Sequence, residues 1–364
     1  VEPVLQSVVV GAGQAGLSAA HHLLRLGLRP WEDVLVLDAN AAPGGAWQHR
    51  WPSLTMTDVH GVAALPGAEP PVPSDRPARR VVPDYFARYE GSGGLPVLRP
   101  VRVTAVADAT GTDADEGPGV LEVRAGGRRW LTRTLVNATG TWERPFVPHY
   151  PGAGTFAGRQ LHTRDYRGAA ELAGRHVVVV GGGASAVQLL AEVSEVATTT
   201  WMTRRRPVWR TTPFTPDEGR AAVALVERRV RQGLPPQSVV AVTGLALRPQ
   251  EAAAAARGVY RREPVFVRLV PEGVVRADGS VLRADVVLWA TGFRPDVGHL
   301  GPLHLRSAEG GIALDGTTAV RDPRVQLVGY GPSASTIGAN RAGRTAALGV
   351  VRHLRALVAP HPEG

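Results

Sequence analysis

Val8-Val9-Val10-Gly11-Ala12-Gly13-Gln14-Ala15-Gly16 is the stretch on which the reading turns. Three β-branched residues make a short, buried strand, and the glycines fit G-x-G-x-x-G. Gly11 makes the tight turn, Gly13 lets backbone approach a pyrophosphate, and Gly16 allows close packing of helix on strand. The helix that follows offers unpaired N–H groups and a positive dipole end to an anion. That helix is expected to run to about Leu26, with Gly27 placed to stop it. Outward again, Val34–Leu37 reads as the next strand, and Asp38 stands at its end. A carboxylate there can accept both hydroxyl hydrogen bonds of an adenosine ribose.

The same grammar returns at His176–Val180, followed by Gly181, Gly183 and Ala186, a helix to about Val196 and a strand at Thr199–Thr203. Gly11 and Gly181 stand 170 residues apart, so the architecture is duplicated rather than finely repeated. The second unit ends without a carboxylate. Arg204-Arg205-Arg206 follow instead, and an arginine fork at the ribose end favours NADPH over NADH.

Between and after these units the pattern is mixed. Residues 42–77 read mostly as loop, 81–90 as a short helix, and 101–138 as a β-meander with a turn at Gly126-Gly127. Ala221, Leu225, Val226 and Val230 suggest the apolar face of an amphipathic helix over 217–232. A hairpin over Val274–Val281 turns at Asp278-Gly279, strands follow at Val286–Ala290 and Val325–Val328, and the last helix spans Ile337 to about Leu357. The fold class is therefore α/β, with two Rossmann-like dinucleotide-binding domains, one inserted into the other. The expected division is 1–155, 156–285 and 286–364, the middle segment being the inserted NADPH domain.

Composition narrows the chemistry. The 364 residues contain no cysteine, which excludes disulfides, thiolate metal sites and dithiol redox chemistry. Net charge is +9, yet all 41 basic residues are arginine and they are interspersed with 32 acids. Scattered charge of this kind is no nucleic-acid footprint, so no nucleic-acid partner is expected. The absence of lysine removes Schiff-base catalysis and a P-loop. Val1-Glu2-Pro3 lacks the order of a signal peptide, and the strongest apolar run, Val177–Val180, ends at three glycines. No membrane association and a cytoplasmic location are expected.

Further motifs point to one family. Gly44-Gly45-Ala46-Trp47 follows the first unit, and Ala138-Thr139-Gly140 and Ala290-Thr291-Gly292-Phe293 end two strands. Between the units, Phe156-Ala157-Gly158-Arg159-Gln160-Leu161-His162-Thr163-Arg164-Asp165-Tyr166 fits F-x-G-x-x-x-H-x-x-x-Y. Together these resemble the flavin-containing monooxygenase family, from about Val8 to Gly343. The resemblance implies FAD and NADPH as cofactors: NADPH reduces the flavin, dioxygen adds at its C4a position, and retained NADP⁺ shields the product from water. A small organic substrate would be oxygenated at nitrogen, sulfur or carbon.

The candidate cofactor-binding residues are Gly11, Gly13, Ala15, Gly16, Asp38, Gly45, Trp47, Val103, Thr139 and Gly140 around the first motif. Gly181, Gly183, Ser185, Ala186, Arg204 and Arg205 surround the second, and Thr291, Gly292, Thr336 and Ile337 come from the return crossing and the last helix. His162 is expected to shape the linker and the NADP site rather than transfer protons.

Departures from the family mark the catalytic candidates. Typical N- or S-oxygenating members carry an asparagine after the Gly-Gly-x-Trp segment. Here the loop reads Leu54-Thr55-Met56-Thr57-Asp58-Val59-His60, so Asp58 or His60 takes that place or serves as a loop hydrogen-bonder. In the last helix Gly338 permits close approach to the flavin, and Asn340 is a candidate active-site amide. Baeyer–Villiger relatives end the linker motif with tryptophan and proline; this chain has Tyr166-Arg167, which disfavours ketone oxygenation. A ferredoxin-type NADPH reductase is the rival. It would commonly place an aspartate where Tyr330 follows Gly329, and it would lack the linker motif. The 54–66 loop and the 207–260 region are expected to shape the substrate entrance, and a homodimer is carried as an expectation.

Overall fold

Strand β1 (Val4–Val10) buries its last four residues consecutively, as a parallel strand covered on both faces must. Helix α1 (Gln14–Arg25), β2 (Val34–Leu37) and α2 (Ala78–Ser92) follow, then β3 (Val97–Leu98), β4 (Ala105–Asp108), β5 (Leu121–Ala125) and β6 (Arg128–Asn137). Next come β7 (Arg159–His162), β8 (His176–Val180), α3 (Ala184–Val193), β9 (Thr198–Thr203), α4 (Pro216–Arg231) and α5 (Pro249–Ala256). The chain continues through β10 (Arg262–Pro264), β11 (Arg268–Val270), β12 (Gly273–Val275), β13 (Val281–Arg283) and β14 (Val286–Trp289). It ends with β15 (Leu314–Asp315), β16 (Thr318–Ala319), β17 (Asp322–Leu327) and α6 (Thr336–Val358). This computed structural model describes residues 3–59, 62–110, 119–210, 216–236, 244–334 and 336–358, the side chains of residues 216, 217, 219, 220, 336 and 337 excepted.

Two sheets carry the architecture. The first runs β15-β16-β17-β6-β1-β2-β3, with β4 and β5 added beside β6. Its long strand β6 serves twice: residues 128–132 pair antiparallel with β5, and residues 131–137 pair parallel with β1. The meander expected over 101–138 is thus β4-β5-β6, grafted onto a parallel sheet by one strand. The second sheet, β10-β9-β8-β14-β7, is parallel throughout. A small antiparallel sheet, β11-β12-β13, includes the hairpin turned at Gly279, whose φ is +85°.

Two sequence readings are corrected here. Strand β14 lies between β8 and β7, so it belongs to the second sheet. The boundary read at 285/286 therefore moves to the far side of Trp289: a buried Val-Val-Leu-Trp run fits either sheet by its pattern alone. On α4 the buried stripe is Ala222, Val226 and Val230, at i, i+4 and i+8, whereas Ala221 and Leu225 are exposed. Elsewhere α1 and α6 cross with their backbones close together. A Cβ on Gly343 would stand 2.5 Å from Ser18 Oγ, so only a glycine lets the helices approach this far.

Candidate dinucleotide-binding site

Each glycine motif is held under a strand crossing by the same steric device. Gly11 has φ +101°, and a Cβ there would stand 2.6 Å from the Ala138 carbonyl oxygen. Gly181, at φ +147°, lies under the Ala290 carbonyl in the same way. Gly13 and Gly183 are the N-cap residues of α1 and α3. Neither helix has a side-chain cap or an acid in its first turn. Their first N–H groups are thus left for an anion, and a Cβ on Gly13 or Gly183 would meet nothing within 4 Å. Gly16 and Ala186 serve packing instead: a Cβ on Gly16 would strike the Gly11 carbonyl, and Ala186 is fully buried.

Both helix N-termini open into one cavity of about 1190 Å³. Pockets for a single drug-sized ligand run roughly 300–1,000 Å³, so this space suits extended ligands. Gly11, Gly13, Ala15, Asp38, Gly45, Trp47, Val103, Thr139 and Gly140 line it from the first sheet's side. Gly181, Gly183, Ser185, Arg204, Arg205, Thr291 and Gly292 line it from the second. Of the regions expected to shape the entrance, 207–260 contributes Pro207, Val208, Arg210, Gly244 and Leu245, while no described residue of 54–66 lines the cavity.

Asp38, 4% exposed, ends β2 inside this cavity. Its Oδ2 accepts a bond from Arg99 Nε at 2.9 Å and its Oδ1 one from Asn40 Nδ2 at 3.2 Å. Arg99 also grips Glu90 through two bonds of 2.7 Å. An ionised carboxylate has about four acceptor sites, so Asp38 keeps capacity for a ribose. At the matching position of the second sheet, Thr203 Oγ1 donates to the Arg205 carbonyl at 2.7 Å and fixes the turn that presents the arginines. Arg204 and Arg205 are exposed on the cavity rim, with no side-chain hydrogen bond or ion pair among the described residues.

The two crossings are tied reciprocally. Thr139 Oγ1 donates to the Asp296 carbonyl at 2.5 Å, and Thr291 Oγ1 donates to the Phe146 carbonyl. Backbone bonds complete the pairing: Phe146 N–H to Gly292 O at 2.9 Å, Arg294 N–H to Arg144 O at 2.8 Å, and Asp296 N–H to Gly140 O at 2.9 Å. The two linkers therefore form one antiparallel ribbon. Aromatic rings brace it. His49 stacks on Trp142 at 5.9 Å, Trp142 on Phe293 at 5.0 Å, and His162 meets Phe293 edge-on at 4.9 Å.

This duplicated, ribbon-joined geometry matches the model of the pyridine nucleotide-disulphide oxidoreductase family over residues 5–330. A solved flavin-containing monooxygenase from Stenotrophomonas maltophilia is 39% identical, with a TM-score of 0.80 and coverage of 97% of this chain and 100% of that one. The chain belongs to the flavin-containing monooxygenases of this family. Further matches include an indole-3-pyruvate monooxygenase from Oryza sativa subsp. japonica, 32% identical over 185 residues, which are 50% of this chain and 43% of that protein. A Baeyer-Villiger monooxygenase from Streptomyces coelicolor is 27% identical over 230 residues, 62% of this chain and 42% of that protein. The chain spans about half the length of the curated relatives it matches. By family the chain is thus a flavin-dependent oxidoreductase. Lacking cysteine, it has no share in the dithiol chemistry of the wider family. No helix among the described residues is long and apolar enough to cross a membrane.

The catalytic candidates fare differently from the candidates that line the cavity. Asp58 does not reach the cavity. Its Oδ2 accepts bonds from Thr55 N–H at 3.2 Å and Thr55 Oγ1 at 2.6 Å, and its Oδ1 accepts from Gln250 Nε2. It is a loop clasp, the outcome expected of a short acid two or three residues from free backbone donors. Asn340 is also a tie: its Nδ2 donates to the Ala64 carbonyl and its Oδ1 accepts Gln14 Nε2 at 3.0 Å. Those bonds tie α6 to the Ala64 carbonyl and to Gln14 of α1, and they occupy Oδ1 and one of the two Nδ2 protons. His60 lies outside the described residues, as do the side chains of Thr336 and Ile337 at the start of α6.

His162 is 3% exposed and fixed as a neutral imidazole. Nε2–H donates to the Gly292 carbonyl at 3.0 Å, while Nδ1 accepts the Arg164 N–H at 3.1 Å. His299, also buried, donates from Nε2 to Asn137 Oδ1 at 2.7 Å. Burial is the main reason that both rings titrate below the ordinary histidine value of 6.5. In the folded protein they stay neutral where the unfolded chain already binds protons, so stability rises with pH in that range. The melting temperature is therefore expected to hold above pH 6.5 and to fall as pH drops below it. A thermal scan that stays flat from pH 7 to pH 5 would contradict the assignment.

Proposed function

We propose that this chain uses NADPH and dioxygen to oxygenate a small organic molecule at a nitrogen, sulfur or carbon centre. One observation carries the reading: a single cavity receives both uncapped helix N-termini and both crossings, so two dinucleotides meet in it. Bound there, FAD would supply the redox chemistry, taking hydride from NADPH and passing electrons to dioxygen. The residues supply placement. The N–H groups after Gly13 hold the first pyrophosphate and Asp38 the adenosine ribose; those after Gly183 hold the second pyrophosphate, with Arg204 and Arg205 at a 2′-phosphate. Trp47, Trp142 and Phe293 line the cavity with apolar rings that keep water from the reacting atoms. In this reading residues 156–289 form the NADPH domain, and the flanking segments form the FAD domain.

The test is kinetic. The protein is reduced anaerobically with NADPH and mixed rapidly with oxygenated buffer. The oxidised flavin spectrum is expected to return in more than one phase, and more slowly with NADP⁺ present than after reduction by dithionite. A single fast return, together with rapid reduction of a ferredoxin, would assign the chain to electron transfer instead.

A further inference from the structure

Arg50 lies in the cavity without a counter-charge. Its guanidinium sits over Trp47 at 5.5 Å and over Trp142 at 5.2 Å. Its Nε is buried with no hydrogen-bond partner, and no carboxylate among the described residues pairs with the group. Glu143, next to Trp142 in sequence, is engaged by Arg102 and Arg164. The contrast within the chain is plain. Arg99, also largely buried, is held by Asp38 and Glu90 together. Burial alone pulls the Arg50 pKa down to about 10, so it remains a cation at neutral pH. Two ring faces return only part of the hydration that such a charge loses.

The place of this charge names its partner. Arg50 closes the 3₁₀ turn Gly45–His49, and that turn is seated on the first glycine motif. A Cβ on Gly45 would stand 2.9 Å from the Cα of Gly13, the N-cap of α1. A full positive charge and an uncapped helix N-terminus thus both line the cavity, and no carboxylate among the described residues pairs with that charge. We infer that Arg50 is a phosphate seat for the dinucleotide at the first glycine motif, a cation left uncompensated until the FAD pyrophosphate arrives. The identity of the dinucleotide rests on the function proposed above; the need for an anion does not.

An unpaired buried cation weakens the empty protein, and this separates a ligand role from a structural one. Protein stripped of flavin is compared as wild type, Arg50→Met and Arg50→Lys. The methionine variant is expected to melt at the wild-type temperature or above it without ligand, yet to bind FAD roughly ten- to a hundredfold more weakly. Inorganic pyrophosphate, a probe independent of the flavin, should raise the melting temperature of wild type and, less strongly, of Arg50→Lys, but not of Arg50→Met. A loss of stability in ligand-free Arg50→Met with unchanged FAD affinity would overturn the inference. So would unchanged FAD affinity with weakened binding of NADP⁺ to the flavin-loaded protein. If wild type took up no FAD but pyrophosphate still protected it through Arg50, the proposed cofactor would fall and the phosphate seat would stand.

Discussion

Replacing Arg204 and Arg205 together by alanine is expected to weaken NADPH binding by roughly ten- to a hundredfold, the worth of one lost charge-assisted contact, and to leave NADH almost unaffected. Both side chains stand on the cavity rim, and neither has a side-chain hydrogen bond or ion pair among the described residues. They follow Thr203, where an acid that would bind the ribose 2′-hydroxyl is missing. Because Thr203 Oγ1 holds the Arg205 carbonyl, the backbone of the turn does not depend on either guanidinium. The double variant should therefore fold with the turn intact and fail only toward the 2′-phosphate. Affinities for NADP⁺ and NAD⁺, titrated against the flavin-loaded protein, decide the matter. Equal weakening of both would make the arginines structural.

The substitution Gly11→Ala should have a larger effect, removing FAD from the purified protein altogether. Two penalties coincide at this residue. A φ of +101° costs an L side chain about 1–3 kcal/mol, and the new Cβ would stand 2.6 Å from the Ala138 carbonyl, which is backbone and cannot rotate away. Any relief displaces either the α1 N-terminus or the first crossing, and both border the cavity. Gly27→Ala is the matched control: its φ is +98°, but nothing lies within 4 Å of the added atom. It pays the conformational term alone and should keep its flavin. Flavin content per chain separates the two, and a yellow, fully loaded Gly11→Ala protein would refute the steric account.

What could be read from the sequence follows from how each feature is enforced. The glycine motifs and the Ala-Thr-Gly crossings are local: one residue's missing side chain answers to one carbonyl, so the pattern sits in a few adjacent letters. Asp38 and the Arg204-Arg205 pair are legible for the same reason, since the end of a Rossmann strand fixes where they stand. Arg50 is different. Its significance comes from Trp142, 92 residues on, and from the lack of a partnering acid among the described residues. Arg99 was equally silent, because its hold on Asp38 joins residues 61 apart through a buried contact. Asp58 is held partly by its neighbour Thr55, the loop bond that its sequence allowed, but its bond from Gln250 and those of Asn340 to Gln14 and Ala64 join residues far apart in the chain. A composition of apolar residues likewise could not tell which sheet would claim β14.

The ribbon formed by residues 140–146 and 292–296 has a mechanical meaning. Two separate tethers would let the sheets slide and rotate freely against one another. Two strands bonded edge to edge instead act as a flat leaf spring, stiff to shear because sliding would break three backbone bonds and both threonine clasps at once. Such a strip flexes across its thin face, near Gly140 and Gly292, whose φ values of +64° and +80° leave no Cβ in the way. Of the motions open to such a strip, a bend across that face is the one it resists least.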